Sequence, residues 1–142
     1  MRYFDGMDDA AQRMLRQIHK EIGKQDVGVT GSQYMVLKKL HENGNMTVSK
    51  VADDLGVSLS AVTALIDRLC KVDLASRRRD DKDRRLVRLE ITPTGKEKVK
   101  ICDDSRRRVL AKYFGKLTEN DLTRLIEINE KFVQILKEEE QE

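Results

Sequence analysis

Residues 47–91, TVSKVADDLGVSLSAVTALIDRLCKVDLASRRRDDKDRRLVRLEI, are the stretch that decides the fold of this 142-residue chain. Thr47 is placed to cap a short amphipathic helix that ends before Gly56, a residue that tolerates the positive φ wanted at a helix end. Ser58 predicts the start of a second helix, whose apolar residues recur at helical spacing as far as Lys71. Two short helices joined by so tight a turn predict a helix-turn-helix.

The segment after the second helix predicts a β-hairpin, the wing. Residues 74–79 and 86–91 have strand character, and the wholly polar loop 80–85 between them suits a solvated hairpin tip. Residues 77–88 hold seven basic and three acidic side chains, which gives a local charge of +4. Such an arm can lay arginines on DNA phosphates or in a minor groove. The alternative interpretation is that these charges are only solvated and bind nothing. It is the weaker of the two, because a helix-turn-helix directly precedes the segment.

The length of the chain predicts one small domain, residues 1–142. Its net charge predicts selective rather than indiscriminate binding to nucleic acid. A chain of this length can bury a single stable core. The net charge of +3 is too mild for indiscriminate binding to nucleic acid. No apolar run is long enough to span a bilayer and no signal-peptide pattern is present, so the sequence predicts a cytoplasmic protein with no membrane partner.

Enzyme and cofactor chemistry are disfavoured. His19 and His41 lie in separate predicted helices, without a nucleophile beside them and without enough companions for a zinc site. No glycine-rich phosphate loop or dinucleotide fingerprint occurs. Cys70 and Cys102 are expected to be partly buried thiols rather than a disulfide. The sequence therefore predicts no enzyme, no cofactor and no metal site.

Long helices flank the winged lobe, residues 30–91. They are predicted at residues 7–23, from Pro93 to about Lys116, and after a Thr118 cap, within the flanking regions 1–25 and 93–142. Their apolar faces are too many to bury against so small a lobe, which predicts a homodimer suited to a palindromic site. A monomer with a three-helix cap is the alternative. The predicted fold is mainly α with a small β-hairpin wing, a winged helix-turn-helix flanked by long dimerisation helices.

The whole series of elements resembles the multiple-antibiotic-resistance regulator (MarR) family of dimeric winged-helix transcription factors. The segments that carry the resemblance are Leu-Gly-Val-Ser at 55–58, Val-Thr-Ala-Leu-Ile-Asp-Arg-Leu at 62–69, Asp-Arg-Arg at 83–85 and Ile-Thr-Pro-Thr-Gly at 91–95. The wing pattern is the most specific of these. The resemblance implies sequence-specific binding of double-stranded operator DNA, usually repression, relieved by a small molecule or by oxidation.

The resemblance also implies two sets of DNA-binding residues. The set on the recognition helix and its start is Ser58, Ser60, Ala61, Thr63, Ala64 and Arg68. On the wing, it makes Arg85 the minor-groove residue, Asp83 the carboxylate that orients it, and Arg84 a phosphate or groove contact.

Some positions depart from the family or raise a question. Ala64 stands where such proteins often carry a basic residue, so contact of Ala61 or Ala64 with a thymine methyl group is a candidate replacement for hydrogen-bond readout. Asp67 faces the polyanion and needs a compensating cation, which its sequence neighbour Arg68 cannot be assumed to supply. Asp73 replaces the glycine that commonly closes the helix, and aspartate tolerates the left-handed conformation.

Regulation is the least determined part of the sequence. The resemblance implies a small anionic or aromatic inducer in a crevice that would draw on His19, Tyr34, Met14, Met35 and residues around Arg106, and no cluster there names a ligand. Two other functions stay open. One is a helical protein-interaction adaptor, which would show no salt-dependent DNA binding. The other is a redox- or metal-responsive regulator of the same fold.

Overall fold

The computed structural model describes residues 1–140, so residues 141–142 of the predicted flanking region lie outside the described residues. Its elements, in chain order, are α1 (Arg2–Gly23), α2 (Gly31–Asn43), β1 (Met46–Thr47), α3 (Val48–Leu55), α4 (Leu59–Lys71), β2 (Ala75–Arg79), β3 (Val87–Ile91), α5 (Pro93–Phe114) and α6 (Glu119–Glu139). The prediction of a mainly α fold with a β-hairpin wing is confirmed.

Hydroxyl side chains cap the starts of five helices, including the three caps predicted at Thr47, Ser58 and Thr118. Thr30, Thr47, Ser58 and Thr118 each accept a hydrogen bond from the backbone N–H three residues on, at 3.1–3.2 Å. Thr92 does the same for α5, at 2.9 Å from the nitrogen of Gly95. Each bond satisfies one of the N–H groups that a helix start leaves unpaired, and losing such a cap costs about 1 kcal/mol.

The sheet contains one strand more than predicted. Its antiparallel order is β1-β3-β2, and the predicted hairpin is β2-β3. The additional strand, β1, pairs Met46 with Leu89 and Thr47 with Arg88. A strand of two residues has no alternating pattern to detect, which is why the sequence did not reveal it.

Two helix boundaries were wrong. Helix α1 begins at Arg2 rather than near Met7, since its amphipathic pattern continues through the first residues despite Gly6. Helix α5 ends at Phe114 rather than near Lys116.

One core, between α2, α3, α4 and the sheet, fixes how α4 is presented. The side chains that form it are buried and apolar: Val36, Leu37, Leu40, Met46, Val51, Ala52, Val62, Ile66, Leu69, Leu74, Ala75, Leu89 and Val99. Val62, Ile66 and Leu69 lie on a single face of α4 and are fully buried. The opposite face of α4 is therefore turned to solvent.

The junction between α4, the hairpin and α5 depends on Gly95. A Cβ at this position would lie well inside van der Waals contact of the Leu74 carbonyl oxygen and 2.7 Å from Cγ1 of Ile91. The hydroxyl of Thr92 donates to the carbonyl of Asp73 at 2.6 Å across the same junction. Asp73 itself has φ 58°, the left-handed conformation expected from the sequence. This close approach explains why Ile-Thr-Pro-Thr-Gly follows the wing.

The chain divides into two compact units. The first, Met1–Arg106, contains α1, the winged lobe and the first part of α5; the second begins at Arg107 and includes α6. Within the described chain, neither α1 nor α6 contains a buried residue. Their large apolar side chains are exposed, among them Phe4 at 66% in α1 and Ile128 at 63% in α6. None of the helices formed by residues 1–140 combines the length and apolar character needed to cross a membrane.

Candidate nucleic-acid interface

The predicted recognition residues form one exposed surface. Ser58, Ser60, Ala61, Thr63, Ala64 and Arg68 are all exposed, and all lie on α4 or at its cap. The structure therefore brings this whole set together on the solvent side of α4, as a helix that enters a major groove requires.

The hydroxyl groups at the start of α4 bond mostly to the helix itself. Oγ of Ser58 accepts from the Ala61 nitrogen at 3.2 Å and lies 3.3 Å from Oγ of Ser60. The Thr63 hydroxyl donates to the carbonyl of Leu59 at 2.8 Å. Few donors remain at this end of α4 for contact with a base.

Asp67 is compensated by Arg77, a residue that sequence reasoning did not single out. The Arg77 guanidinium donates to Oδ1 of Asp67, which joins α4 to the first strand of the wing. Both side chains are substantially exposed, so the pair stabilises the fold by about 0–1 kcal/mol at most. Its larger effect is to neutralise a carboxylate on the surface that would face DNA. Ten residues separate the two in sequence, and only the fold reveals the pairing.

At the tip of the wing, Asp83 holds Arg85. Oδ1 of Asp83 accepts from the backbone nitrogen of Arg85 at 3.0 Å and from its Nε at 3.1 Å, and Oδ2 accepts from Nη2 at 3.4 Å. The Arg85 side chain is nevertheless 91% exposed. The guanidinium is thus oriented by one carboxylate and otherwise projects into solvent, the relation that the family resemblance implies.

Asp80 organises the same loop from inside. Its Oδ1 accepts from the backbone nitrogens of Lys82 at 2.8 Å and Asp83 at 3.0 Å, and its Oδ2 accepts from Nε of Arg88 at 2.5 Å. These bonds, that of Arg88 above all, lower the pKa of Asp80 to about 2. Sequence reasoning counted Asp80 and Arg88 only as charges. An aspartate at the start of a polar turn is the signal that could have identified it as a turn-forming residue.

The three remaining wing arginines differ in their contacts. Nε of Arg78 pairs with Oε1 of Glu90 at 2.8 Å. Arg79 donates from Nη1 to the carbonyl of Arg84 at 2.8 Å, which fixes the backbone at the predicted phosphate-contacting residue. Arg84 is itself exposed. The wing tip is consequently an ordered loop rather than an unstructured basic run.

The first unit also contains a cavity of about 540 Å³ between α1, the following loop, α2 and α5. Of the residues expected near an inducer, His19, Tyr34, Met35 and Arg106 line it, whereas Met14 does not. The Arg106 guanidinium carbon lies 5.3 Å from the centre of the Tyr34 ring. The apolar part of the wall includes Ile22, Val27 and Val29.

Polar groups give the cavity a definite chemistry. The Ser105 hydroxyl is buried, and among the described residues it has no hydrogen-bond partner. The Tyr34 hydroxyl donates to Oδ1 of Asp103 at 2.5 Å, and Lys38 pairs with Oδ2 of Asp103 at 2.7 Å. Burial, together with the bond to Asp103, raises the pKa of Tyr34 to about 12. One wall of the cavity is thus anchored to α5 through a single carboxylate.

The cysteines do not have the environment of reactive thiols. Cys102 is buried and Cys70 is half-buried, as expected. Burial is the main cause that raises the pKa of both thiols. A redox-sensing thiol needs a lowered pKa. Throughout residues 1–140, no group of His, Cys, Asp or Glu side chains is arranged to hold a metal ion.

The chain is similar to known proteins in sequence and in fold. A family model described as the MarR family matches residues 29–87. The chain is 32% identical over 133 residues to the HTH-type transcriptional repressor MdtR of Bacillus subtilis (strain 168), covering 92% of this chain and 86% of that protein. The crystal structure of the YusO protein from Bacillus subtilis is 30% identical, with a TM-score of 0.74, and the match covers 94% of this chain and 96% of that one. A MarR family protein from Bacillus stearothermophilus has a TM-score of 0.84 over 96% of each chain at 21% identity, a likeness of fold alone.

Proposed function

The chain belongs to the MarR family of transcriptional regulators, and from this premise we propose that it represses transcription as a homodimer bound to a palindromic operator, from which a small anionic or aromatic molecule releases it. Its family and its relatives are regulators of transcription, not enzymes. The relative MdtR is a repressor, which supports repression here.

The observation that carries the proposal is the pairing of Asp83 with Arg85 at the wing tip. Two contacts from Asp83 hold the Arg85 guanidinium and a third holds its backbone nitrogen, although the side chain remains 91% exposed. An exposed ion pair contributes little to folding, so stability does not account for this arrangement. A pre-oriented, weakly hydrated arginine is well suited to a narrow minor groove, where negative potential is concentrated. With the exposed face of α4 in a major groove, the lobe 30–91 would contact both grooves.

The homodimer is supported by the exposed apolar faces of α1 and α6. Exposed apolar area on this scale marks an interaction surface, and a second copy of the chain is the occupant that a two-fold operator requires. Regions 1–25 and 93–142 would then be the dimerisation part of one domain, 1–142. Removal of residues 118–142 should leave a poorly folded chain. A soluble, cooperatively folded monomer that still binds DNA tightly would contradict the dimer.

The inducer proposal rests on the cavity of the first unit. A carboxylate there could accept from the unpaired Ser105 hydroxyl and pair with Arg106, while an aromatic ring packs on the apolar wall. Release from DNA then follows only if the ligand binds one arrangement of the dimer more tightly than the DNA-binding arrangement. A panel of phenolic and carboxylate ligands should raise the melting temperature and weaken operator binding. No change in either quantity would contradict this part.

Binding to duplex DNA over a series of salt concentrations tests the function itself. A regulator that neutralises phosphates should show an affinity that falls steeply with salt, because bound counterions are released. A protein-interaction adaptor should bind no duplex specifically. Replacing Cys70 and Cys102 together with serine should leave DNA binding and its release by ligand intact; loss of the response would favour the redox-responsive alternative.

A further inference from the structure

The first two turns of α4 present exposed carbon and few free hydrogen-bond donors to solvent. Opposite the buried Val62 and Ile66, the exposed positions here include Ala61 and Ala64, which are alanines without polar atoms. The longer polar side chains of α4, Asp67 and Arg68, come later along the helix. In helix-turn-helix proteins it is the N-terminal part of the recognition helix that contacts base edges.

The hydroxyl groups in these turns are already engaged. Ser58 accepts the bond that caps α4 and shares another with Ser60, so one hydroxyl proton is left between the pair. The proton of Thr63 is given to the carbonyl of Leu59. The Thr63 side chain therefore has its methyl group, and only the acceptor side of its hydroxyl, left for a new contact.

Leu59 is a further exposed carbon surface at the start of the recognition helix. It is 54% exposed and is absent from the core and from the apolar residues packed against it. Leu59 therefore contributes little to the core. As the first residue of α4, it belongs to the part of the helix that would approach the bases.

We propose that α4 reads operator DNA chiefly by contact between these aliphatic carbons and thymine C5 methyl groups, with Leu59, Thr63 and Ala64 as the specificity-determining residues. Of the four bases, thymine alone offers a methyl group in the major groove. Alanine and threonine carbons can reach it only if the helix approaches closely, which small side chains allow. This inference rests on the proposed operator binding and assigns to Leu59 a function of its own.

Thymine-to-deoxyuridine exchange tests the proposal directly, because it removes the methyl group and leaves every hydrogen-bonding atom of the base in place. The operator would first be selected from a random duplex pool with the full-length protein. Each thymine is then exchanged singly, and affinity is measured by fluorescence anisotropy at fixed salt. We expect a loss of about fourfold for each contacted methyl group. Exchange of adenine or guanine for its 7-deaza analogue, which removes the N7 acceptor, should have little effect in the same half-site.

A matched pair of protein variants assigns the contact. Thr63→Val keeps the methyl group and removes the hydroxyl, whereas Thr63→Ser does the reverse. The valine variant should bind as the parent does, and the serine variant should lose affinity and become insensitive to deoxyuridine at one position. Leu59→Ala should likewise abolish the deoxyuridine effect at another position, with an unchanged melting temperature because Leu59 lies outside the core.

The outcomes separate this inference from the function on which it rests. If the protein binds a selected duplex but no deoxyuridine exchange weakens binding, the methyl readout is wrong while operator binding stands. A loss of affinity with the 7-deaza analogues alone would also overturn it, in favour of hydrogen-bond readout. If no duplex is enriched and binding does not depend on salt, the proposed function itself fails.

Discussion

Replacement of Arg85 by alanine should weaken operator binding by about 1–3 kcal/mol per half-site, so each half-site should raise Kd by a factor of roughly 5 to 150. The side chain is 91% exposed and its partner is Asp83, two residues earlier in the same loop, so no core contact is lost. The melting temperature should therefore stay close to that of the parent, since surface changes of this kind usually alter stability by less than about 0.5 kcal/mol. The dependence of log affinity on log salt should become shallower by about one unit per half-site, because one cation that lies between the phosphate backbones of the groove is lost.

The informative companion is Asp83→Ala, which removes a negative charge beside DNA. If only net charge mattered, removing this carboxylate would reduce repulsion from the phosphates and tighten binding. The bonds that orient Arg85, however, are lost with the carboxylate. We expect weaker binding, because the freed guanidinium must be ordered again on the operator. Arg85→Lys should recover only part of the alanine loss, since an ammonium lacks the planar fork and is more strongly hydrated.

Asp81→Ala is the matched control in this loop. It removes the same charge two residues before Asp83, from a residue exposed to solvent, and should leave binding unchanged or slightly tighter. All variants would be compared by fluorescence anisotropy over one salt series. If Asp83→Ala tightens binding as much as Asp81→Ala, the orienting role is refuted and charge alone explains the wing.

Other parts of the fold give further predictions. Arg77→Ala should weaken operator binding more than it lowers the free energy of unfolding, because it leaves the Asp67 carboxylate uncompensated; anisotropy and thermal melts measure the two effects. Gly95→Ala should lower the free energy of unfolding by about 1–3 kcal/mol or more through steric overlap, as urea denaturation would show. Tyr34→Phe should lower it by about 1 kcal/mol, since the hydrogen bond to Asp103 is lost. The pKa of Tyr34 is raised from 10.0 to about 12, so its contribution is complete below pH 10 and disappears as pH rises through 12; the difference between parent and variant should shrink over that range.

Controls distinguish these effects from general damage. Adding Asp67→Ala to the Arg77→Ala variant should restore much of the lost binding, and failure to do so would contradict the compensation argument. Gly31→Ala meets nothing within 4 Å and should not destabilise the chain, whereas equal losses at Gly31 and Gly95 would refute the packing argument. A difference between parent and Tyr34→Phe that did not vary from pH 9 to 12 would contradict the role of the Tyr34 hydroxyl.

Local chemistry explains why much of the fold could be predicted from the sequence. Caps such as Thr47 and Ser58 act on backbone atoms three residues away, so their signal is contained in a short stretch. The same is true of Asp83 and Arg85, two residues apart on a polar loop. Periodic apolar residues also located the recognition helix and its buried face.

What could not be predicted depends on contacts between distant segments. Some side-chain contacts form only when distant elements meet in space, and no periodicity in the sequence indicates them. Examples are the pairing of Arg77 with Asp67 and the bonds of Tyr34 and Lys38 to Asp103. The unpaired Ser105 hydroxyl is recognisable only once the cavity around it is formed. The strand β1 was missed for a different reason, since two residues are too few to carry a pattern.

Selection of bound duplexes from a random pool is the measurement that tests the central claim most directly. A dimer with one α4 in each of two major grooves should enrich an inverted repeat whose half-site centres lie about 10 base pairs, or a multiple of one helical turn, apart. Enrichment of a single unrepeated site, or of no sequence at all, would contradict the account of this protein as a dimeric, sequence-specific regulator.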